Sequence, residues 1–349
     1  MKNNNRLAYL LIGLLVVWSL ILTVFVFDKD DRTNSTQIVN EYKVDGFSTD
    51  FTEVIDVNKT SVVSINCNGA ISSGFVYKQD DNKVYIVTTY HGLNGGVISV
   101  SFNNVFNAYA SLLGHDKYSD LAVIQIESPY SIKPLTLADS SILKDGEFVV
   151  SIGTPSSFEY AGSVELGMVS SDTRVIENSI TVDDVTSNYY LDVIQLSANL
   201  KPGYSGSPVL NMNGEVVGMV TMNIQDGFNF AITSNEIKII ADKLISEQQV
   251  TKYQLGIKGS YIENMPMFER SNLNLSVETI YGLYVEKLLD GSVALPAGIK
   301  AGDVILSIND VELHNMNDYL NVVYSETGSL KFEVLRDGSI SNYTVNLND

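Results

Sequence analysis

The sequence is poor in cysteine, histidine and basic residues, and each shortage excludes a class of protein. One cysteine and three histidines in 349 residues rule out an intrachain disulfide framework and effectively exclude a structural zinc site. Lysine and arginine number 22 against 41 aspartate and glutamate residues, a formal charge of −19. Such an acidic chain repels a phosphate backbone, so we expect no nucleic-acid partner.

Apolar residues, by contrast, make up 45% of the chain, enough to build folded cores. At roughly 100 to 200 residues per domain, the length predicts two folded domains. The single cysteine, Cys67, alternates with Val63 and Ile65. This pattern is typical of a buried strand thiol rather than of a nucleophile.

An uncharged apolar run occupies residues 7–27. Its 21 residues, at about 1.5 Å of rise each, match the roughly 30 Å hydrocarbon core of a bilayer and predict one transmembrane helix. A cleaved signal peptide is the competing interpretation, but the run is long for one and lacks a small-residue cleavage site. Residues 1–6 form a tail, and the polar residues 28–48 a tether. The basic residues on the two sides leave the orientation of the helix open.

Short β-branched runs separated by turn signals fill residues 54–231. Many short strands at this spacing predict an all-β sandwich or a pair of barrels. A capping box at residues 233–236 predicts the first good helix, which closes the first domain. A second β-rich region begins at Tyr253.

A glycine-rich serine turn at residues 202–208 is the first candidate for chemistry. Amide hydrolysis by a hydroxyl needs a serine on a tight turn and free backbone N–H groups for the oxyanion. Gly203 lets the turn aim its own N–H and that of Ser205 at one point, and we expect Gly206 to leave room for substrate. Alone the turn is weak support, because most such turns are only turns.

A histidine and an aspartate upstream strengthen the interpretation of this turn as a catalytic one. His91 follows a predicted strand, and Asp120 opens another. The order His91, Asp120, Ser205, with separations of 29 and 85 residues, is that of a chymotrypsin-type His-Asp-Ser triad. His115 and His314 are interpreted as structural or solvent-exposed.

Several segments in sequence order resemble the membrane-anchored HtrA (DegP-like) serine proteases. The resemblance implies a mainly β fold: a chymotrypsin-like double β-barrel over residues 49–247, then a PDZ domain over residues 252–349, behind one N-terminal transmembrane helix. The segments that carry it are 85–91, 116–126, 137–140, 146–153, 167–170, the serine turn, 213–218 and 228–232.

The resemblance also implies the roles of the site residues. His91 is the general base, Asp120 orients it, and Ser205 is the nucleophile. The backbone N–H groups of Gly203 and Ser205 form the oxyanion hole. No metal or organic cofactor is needed, because the nucleophile, the base and the oxyanion donors are all protein groups.

Two further positions match the family, and three depart from it. Arg174 matches the sensor-loop arginine, with a solvated loop cation as the alternative. Leu200 matches a position lining the primary specificity pocket, with a core leucine as the alternative. Tyr204 and Ser207 replace the usual residues of the serine turn, and Ser197 replaces a common aspartate. We expect Tyr204 and Ser207 to affect substrate preference rather than the chemistry.

The second region resembles the PDZ domain that follows HtrA proteases. The N–H groups of Leu255 and Gly256 would hold a peptide carboxylate while a strand edge pairs with the peptide. Residues 259–281 fit the pattern poorly, which predicts an altered or occluded groove. The carboxylate loop is formed by Tyr253, Leu255, Gly256 and Ile257, and the other matching stretches are residues 291–309 and 334–338.

The sequence therefore predicts a membrane-anchored serine endopeptidase that acts on misfolded or unfolded proteins outside the cytoplasm, in quality control and stress response. The family implies a cytoplasmic tail, a single-pass anchor in the cell membrane, PDZ regulation by peptide C-termini, and a homotrimer. Phe47 and Phe51 are candidate trimer contacts, with core packing as the alternative. Two other functions stay open, a peptide-binding chaperone with a weak protease scaffold and a regulatory protease with one substrate. Activity should rise as His91 loses its proton near about pH 6.5.

Overall fold

The structure is a computed structural model. It describes residues 13–19, 50–102, 106–182, 185–224, 228–248, 250, 255–273, 275, 278–289, 291–325 and 328–347. The chain divides into two compact units, residues 1–48 and 49–349.

Only residues 13–19 of the predicted transmembrane segment 7–27 are described, and they are helical. The rest of that segment, the tail 1–6 and the tether 28–48 lie outside the described residues. Within the described part of the chain, no helix has both the length and the apolar character needed to cross a membrane.

The second unit begins with helix α1 (Thr52–Asn58), a 3₁₀ turn (Lys59–Ser61) and a closed six-stranded barrel. The strands pair in the order β1-β2-β3-β6-β5-β4. They are β1 (Val62–Cys67), β2 (Ala70–Asp80), β3 (Lys83–Thr89), β4 (Ile98–Phe102), β5 (Phe106–Asp116) and β6 (Leu121–Glu127). Cys67 is buried, as the alternating pattern predicted.

A second closed barrel follows, with strand order β10-β11-β12-β9-β8-β7. Its strands are β7 (Phe148–Gly153), β8 (Ser163–Val182), β9 (Val185–Leu196), β10 (Pro208–Leu210), β11 (Val216–Ile224) and β12 (Phe228–Thr233). Short 3₁₀ turns at Ser140–Ile142 and Phe158–Tyr160 lie in its connections. Of the two arrangements that the strand spacing allowed, the chain adopts the pair of barrels.

Helix α2 (Ser234–Glu247) closes this part of the chain. The predicted cap is confirmed, because the Thr233 side chain accepts a hydrogen bond from the Glu236 N–H at 3.3 Å. Gln248, with φ at 60°, ends the helix in the left-handed conformation. The apolar face of α2 is fully buried at Ile237, Ile240, Ala241 and Leu244.

The remaining residues form a third sheet with strand order β13-β14-β15-β17-β18, in which β16 pairs with β15. Asp303, which is 1% exposed, accepts two hydrogen bonds from the Arg336 guanidinium at 2.6 and 2.7 Å and so ties the start of β15 to the end of β17. The elements are β13 (Ile257–Tyr261), a 3₁₀ turn (Ile262–Asn264), α3 (Met267–Asn272), β14 (Leu283–Leu288), β15 (Val304–Ile308), β16 (Val311–Glu312), α4 (Met316–Ser325), β17 (Ser329–Arg336) and β18 (Ser339–Asn346).

One hydrophobic cluster joins the barrels to this third sheet. Leu121 of the first barrel, Ile240 of α2, and Leu320 and Val323 of α4 all belong to it. Burial of a shared apolar core stabilises the contact between the parts. The third sheet therefore packs against the barrel pair through α2 and α4.

Candidate active site

The three predicted triad residues meet where the two barrels face each other. His91 lies just after β3 and Asp120 just before β6, both in the first barrel, and Ser205 lies in the turn before β10 of the second. The His91 Nδ1 atom is 2.6 Å from Asp120 Oδ2, and its Nε2 atom is 3.1 Å from Ser205 Oγ. These distances form a continuous chain from carboxylate to imidazole to hydroxyl.

The Asp120 carboxylate is fixed by three donors. Its Oδ1 accepts the His91 backbone N–H at 2.8 Å, and its Oδ2 contacts His91 Nδ1 and accepts the Thr221 hydroxyl at 2.7 Å. Thr221 lies in β11, so both barrels hold the carboxylate. Sequence reasoning missed Thr221, because a threonine inside a strand carries no signal of this contact.

The carboxylate also sets the state of the imidazole. An ionised Asp120 only accepts hydrogen bonds, so the proton of neutral His91 lies on Nδ1 and Nε2 is left to accept the Ser205 hydroxyl. Burial lowers the pKa of His91, but the hydrogen bond and the charge of Asp120 raise it by more, and the pKa lies above its ordinary value. The expected midpoint near 6.5 is therefore corrected upward.

The two carbonyl groups that precede the expected oxyanion donors are both engaged. Pro202 O accepts the Ser156 N–H at 3.0 Å, and Tyr204 O accepts the Ser207 N–H at 2.8 Å. The C=O and N–H of a trans peptide point in opposite directions. The next N–H groups along the chain, those of Gly203 and Ser205, consequently face away from these partners.

Neither of those two N–H groups has a hydrogen-bond acceptor among the residues that the structure describes. They flank the Ser205 hydroxyl on one turn, which is the arrangement of an oxyanion hole. Gly203 is required there, since its φ is +103° and a Cβ atom would lie 2.2 Å from Thr154 O.

Ser73 of β2 connects the first barrel to this turn, and sequence reasoning missed it. Its N–H donates to Ser205 O at 2.7 Å, and its hydroxyl donates to Gly203 O at 2.7 Å and accepts the Thr154 N–H at 2.9 Å. A Cβ atom on Gly206 would lie 2.0 Å from Ser73 O. The expectation that Gly206 makes room for substrate is therefore wrong, because its missing side chain makes room for β2.

The residues that depart from the family turn are buried. Tyr204 is 2% exposed in the core of the second barrel, and the Ser207 hydroxyl donates to the Tyr204 carbonyl from a fully buried position. Burial, followed by the charge of Glu165, raises the pKa of Tyr204 to about 12. Both side chains are buried, and the expected effect on substrate preference stays a prediction.

Leu200 and Ser197 lie close by. Leu200 is 3% exposed and belongs to the same core cluster as Tyr204. The Ser197 hydroxyl accepts the Met168 N–H at 2.9 Å, and the Ser197 N–H donates to the Met168 carbonyl at 3.0 Å. Where the family has an aspartate, this chain therefore uses a serine to join β8 to the segment after β9.

Arg174 and the other histidines lie outside the triad. Arg174 is exposed on β8, where its Nε donates to Gln195 Oε1 at 3.0 Å beside a cavity of about 630 Å³ that Lys258 of β13 also lines. His115 stacks on Tyr90 with ring centres 3.8 Å apart. His314 lies in the third sheet region, 2.7 Å from a Glu263 carboxylate oxygen.

The predicted carboxylate loop precedes β13, and its first residue, Tyr253, lies outside the described residues. Leu255 is fully buried, Gly256 has φ at +65°, and Ile257 opens the strand. Within the described part of the chain, the N–H groups of Leu255 and Gly256 have no acceptor.

Beside Gly256, Ile257 and Leu320 the groove between β13 and α4 is closed, with a free volume of about 30 Å³, too small for a peptide strand. Tyr261, 5% exposed, lines this space, with its hydroxyl 3.9 Å from Met316 Sδ. Val175 and Asp192 of the β8–β9 hairpin also line this space, so the second barrel helps to cover the groove. A larger cavity of about 630 Å³ lies beside Lys258 and Ser260 of β13.

Comparison with known proteins agrees with this fold. Residues 72–219 match the family model of a trypsin-like peptidase domain, and residues 284–336 match a PDZ domain. The serine protease Do-like HtrA of Bacillus subtilis (strain 168) is 32% identical over 276 residues, which cover 76% of this chain and 61% of that protein. This chain thus spans less than two thirds of that relative's length.

A relative of the same name in Lactococcus lactis subsp. lactis (strain IL1403) is 30% identical over 331 residues, covering 90% of this chain and 80% of the relative. A solved HtrA-type protease, AlgW with tripeptide, shares the fold with a TM-score of 0.59 and 24% identity, over 85% of this chain and 96% of that one. The chain thus contains a trypsin-like peptidase domain and a PDZ domain. It belongs to the HtrA family of serine proteases.

The His91 imidazole gives a test that needs no substrate. We expect NMR titration of His91 to give a pKa above about 6.5. In Asp120→Asn the negative charge that raises the His91 pKa is lost, while the burial that lowers it remains. The His91 pKa should therefore fall below that value. His115 serves as the internal control and should titrate alike in both proteins. A His91 pKa that Asp120→Asn leaves unchanged would contradict the assigned pair.

Proposed function

We propose that the protein is a membrane-anchored serine endopeptidase that hydrolyses misfolded or unfolded proteins outside the cytoplasm, under the control of its PDZ domain. The observation that supports this most is the unbroken contact from Asp120 through His91 to Ser205, beside two unengaged backbone N–H groups. A protein that only binds peptides does not require these three side chains to be aligned, which argues against a pure binding protein.

In this proposal the chemistry proceeds in two halves. Ser205 Oγ attacks the peptide carbonyl while His91 Nε2 takes the hydroxyl proton, and the Asp120 carboxylate stabilises the imidazolium. The N–H groups of Gly203 and Ser205 bind the oxyanion of the tetrahedral intermediate. His91 then donates its proton to the leaving amine, and an acyl-enzyme forms. A water molecule, deprotonated by His91, attacks the acyl carbonyl and releases the second product and the serine.

The substrate class follows from the family resemblance, as does regulation by peptide C-termini. A structural neighbour was solved with a tripeptide, which supports short peptides as ligands of this architecture. The closed space of about 30 Å³ beside β13 means that a peptide enters only after the groove widens. We therefore propose a resting state in which the PDZ groove is shut, and Arg174, on the hairpin facing β13, as the sensor residue.

The anchor and the trimer belong to the same proposal. The charge-free run at residues 7–27 supports the anchor, with residues 1–6 in the cytoplasm and the two folded domains outside. Phe51 is 5% exposed and packs in the core, and Phe47 lies outside the described residues. A trimer contact would therefore need surfaces other than the Phe51 side chain.

Cleavage of an unfolded protein tests the activity. With a casein as substrate, we expect turnover by the parent protein and a loss of at least about a thousandfold in Ser205→Ala, because removal of the nucleophile leaves only binding and the oxyanion donors. A fluorophosphonate probe should label the parent and spare the variant. The matched control is Ser131→Ala, which removes an exposed serine hydroxyl at a position distant from Ser205 in the sequence. Equal cleavage by parent and Ser205→Ala would refute the assigned nucleophile.

Membrane fractionation tests the anchor. The full chain should stay with membranes in alkaline carbonate, since a hydrophobic helix that spans the bilayer resists extraction. A protein lacking residues 1–27 should be released. A protease added outside intact cells should digest the two folded domains of the full chain. Carbonate release of the full chain, or protection of the folded domains, would contradict the proposed topology.

A further inference from the structure

We propose that Tyr324 of α4 is a positioning residue for Asp120 and couples the PDZ groove to the catalytic triad. The proposal rests on the proposed function, because it names a route by which that same site is regulated. The route runs from α4 through a buried tyrosine hydroxyl to the turn that precedes Asp120.

The first observation is a buried polar cluster where the PDZ helix meets the protease domain. The Tyr324 hydroxyl donates to Glu236 Oε1 at 2.8 Å and lies 3.5 Å from Asp116 Oδ2. Tyr324, Glu236 and Asp116 are 2%, 1% and 4% exposed. Burial and the charges of both carboxylates raise the pKa of Tyr324 well above its ordinary value, so the hydroxyl keeps its proton. A buried hydroxyl between two carboxylates is costly to withdraw.

The second observation is what Asp116 does on its other side. Its Oδ1 accepts the Tyr118 N–H at 3.2 Å, and its Oδ2 accepts the N–H and the hydroxyl of Ser119 at 3.2 and 2.8 Å. Asp116 thereby holds the turn that ends at Asp120, whose φ is +58°. Aspartate tolerates this left-handed conformation better than most residues with a side chain, and the contacts of Asp116 fix the turn that leads into it.

The third observation is the packing around the cluster. Helix α2 presses on β5 so closely that a Cβ atom on Gly114, two residues before Asp116, would lie 2.8 Å from both Leu244 Cδ2 and Gln248 O. The same hydrophobic cluster contains Leu244 of α2 and Val323 of α4. A shift of α4 therefore reaches the turn through packed groups rather than through solvent.

The same helix lines the peptide groove. Met316, Tyr319 and Leu320 face β13 across the closed space, and Tyr324 lies one turn beyond Leu320. A peptide that enters beside β13 contacts these residues of α4, and in this proposal the helix shifts and Tyr324 moves with it. Peptide binding would then alter the contact between Tyr324 and Asp116. Through the turn that follows Asp116, this change would alter the orientation of the Asp120 carboxylate relative to His91.

The test compares Tyr324→Phe with Tyr281→Phe in the full chain in detergent. Tyr281 also donates to a glutamate, Glu312, at 3.3 Å, but this bond stays within the PDZ domain. We expect Tyr324→Phe to change kcat for casein about three- to tenfold, with KM within about twofold. The low-field NMR signal of the His91 Nδ1 proton should shift or broaden in Tyr324→Phe and stay unchanged in Tyr281→Phe.

An unchanged kcat together with an unchanged His91 signal in a folded Tyr324→Phe protein would overturn the proposal. If the parent itself cleaves nothing, the proposed function fails, while the His91 signal still decides whether Tyr324 positions Asp120. If Tyr324→Phe does not fold, Asp116→Asn gives the same readouts, since asparagine keeps an acceptor for the turn. Where both variants fold, their effects should not add, and full additivity would also overturn the proposal.

Discussion

The contact between strand β2 and the serine turn is the constraint on which the site depends. The nucleophile and the oxyanion donors lie in one barrel, the base and its aspartate in the other, and Ser73 fixes the two barrels to each other at this point. Its N–H holds the Ser205 carbonyl and its hydroxyl holds Gly203 O and the Thr154 N–H. These bonds hold the peptide units that directly follow the Gly203 and Ser205 N–H groups, so the turn that carries the oxyanion donors is fixed before any substrate arrives.

A second contact across the barrels completes the arrangement. Thr221 donates to the same Asp120 oxygen that contacts His91, so the carboxylate cannot rotate away without losing partners from both barrels. The hydrogen bonds that connect the two barrels here are thus the same ones that fix the catalytic geometry. On the far side of Asp120, the turn that carries it is held by Asp116, and Asp116 touches the PDZ domain through Tyr324.

The triad could be predicted from sequence because each member lies at a local landmark, such as a strand end or a glycine turn, and because the order of the three is informative. The capped helix α2 was predictable for the same reason. Ser73, Thr221 and Tyr324 were not, since each acts on a residue far away in the chain and looks like an ordinary strand or helix residue. The role of Gly206 was misjudged, because sequence cannot show that a backbone from the other barrel approaches it. The narrow space beside β13 was foreseen only as a poor fit of residues 259–281, and Tyr261 lines it together with Met316 of α4 and Asp192 of the second barrel.

The most direct test of this account is the steady-state kinetics of Ser73→Ala beside Ser72→Ala. Both serines are buried neighbours in β2, but the Ser72 hydroxyl has no hydrogen-bond partner among the described residues. Loss of the Ser73 hydroxyl should free the oxyanion turn and lower kcat by about tenfold or more with little change in KM, while Ser72→Ala keeps the parental kcat. A folded Ser73→Ala protein with the parental kcat, or equal losses in the two variants, would contradict the claim that β2 holds the oxyanion turn in its catalytic shape.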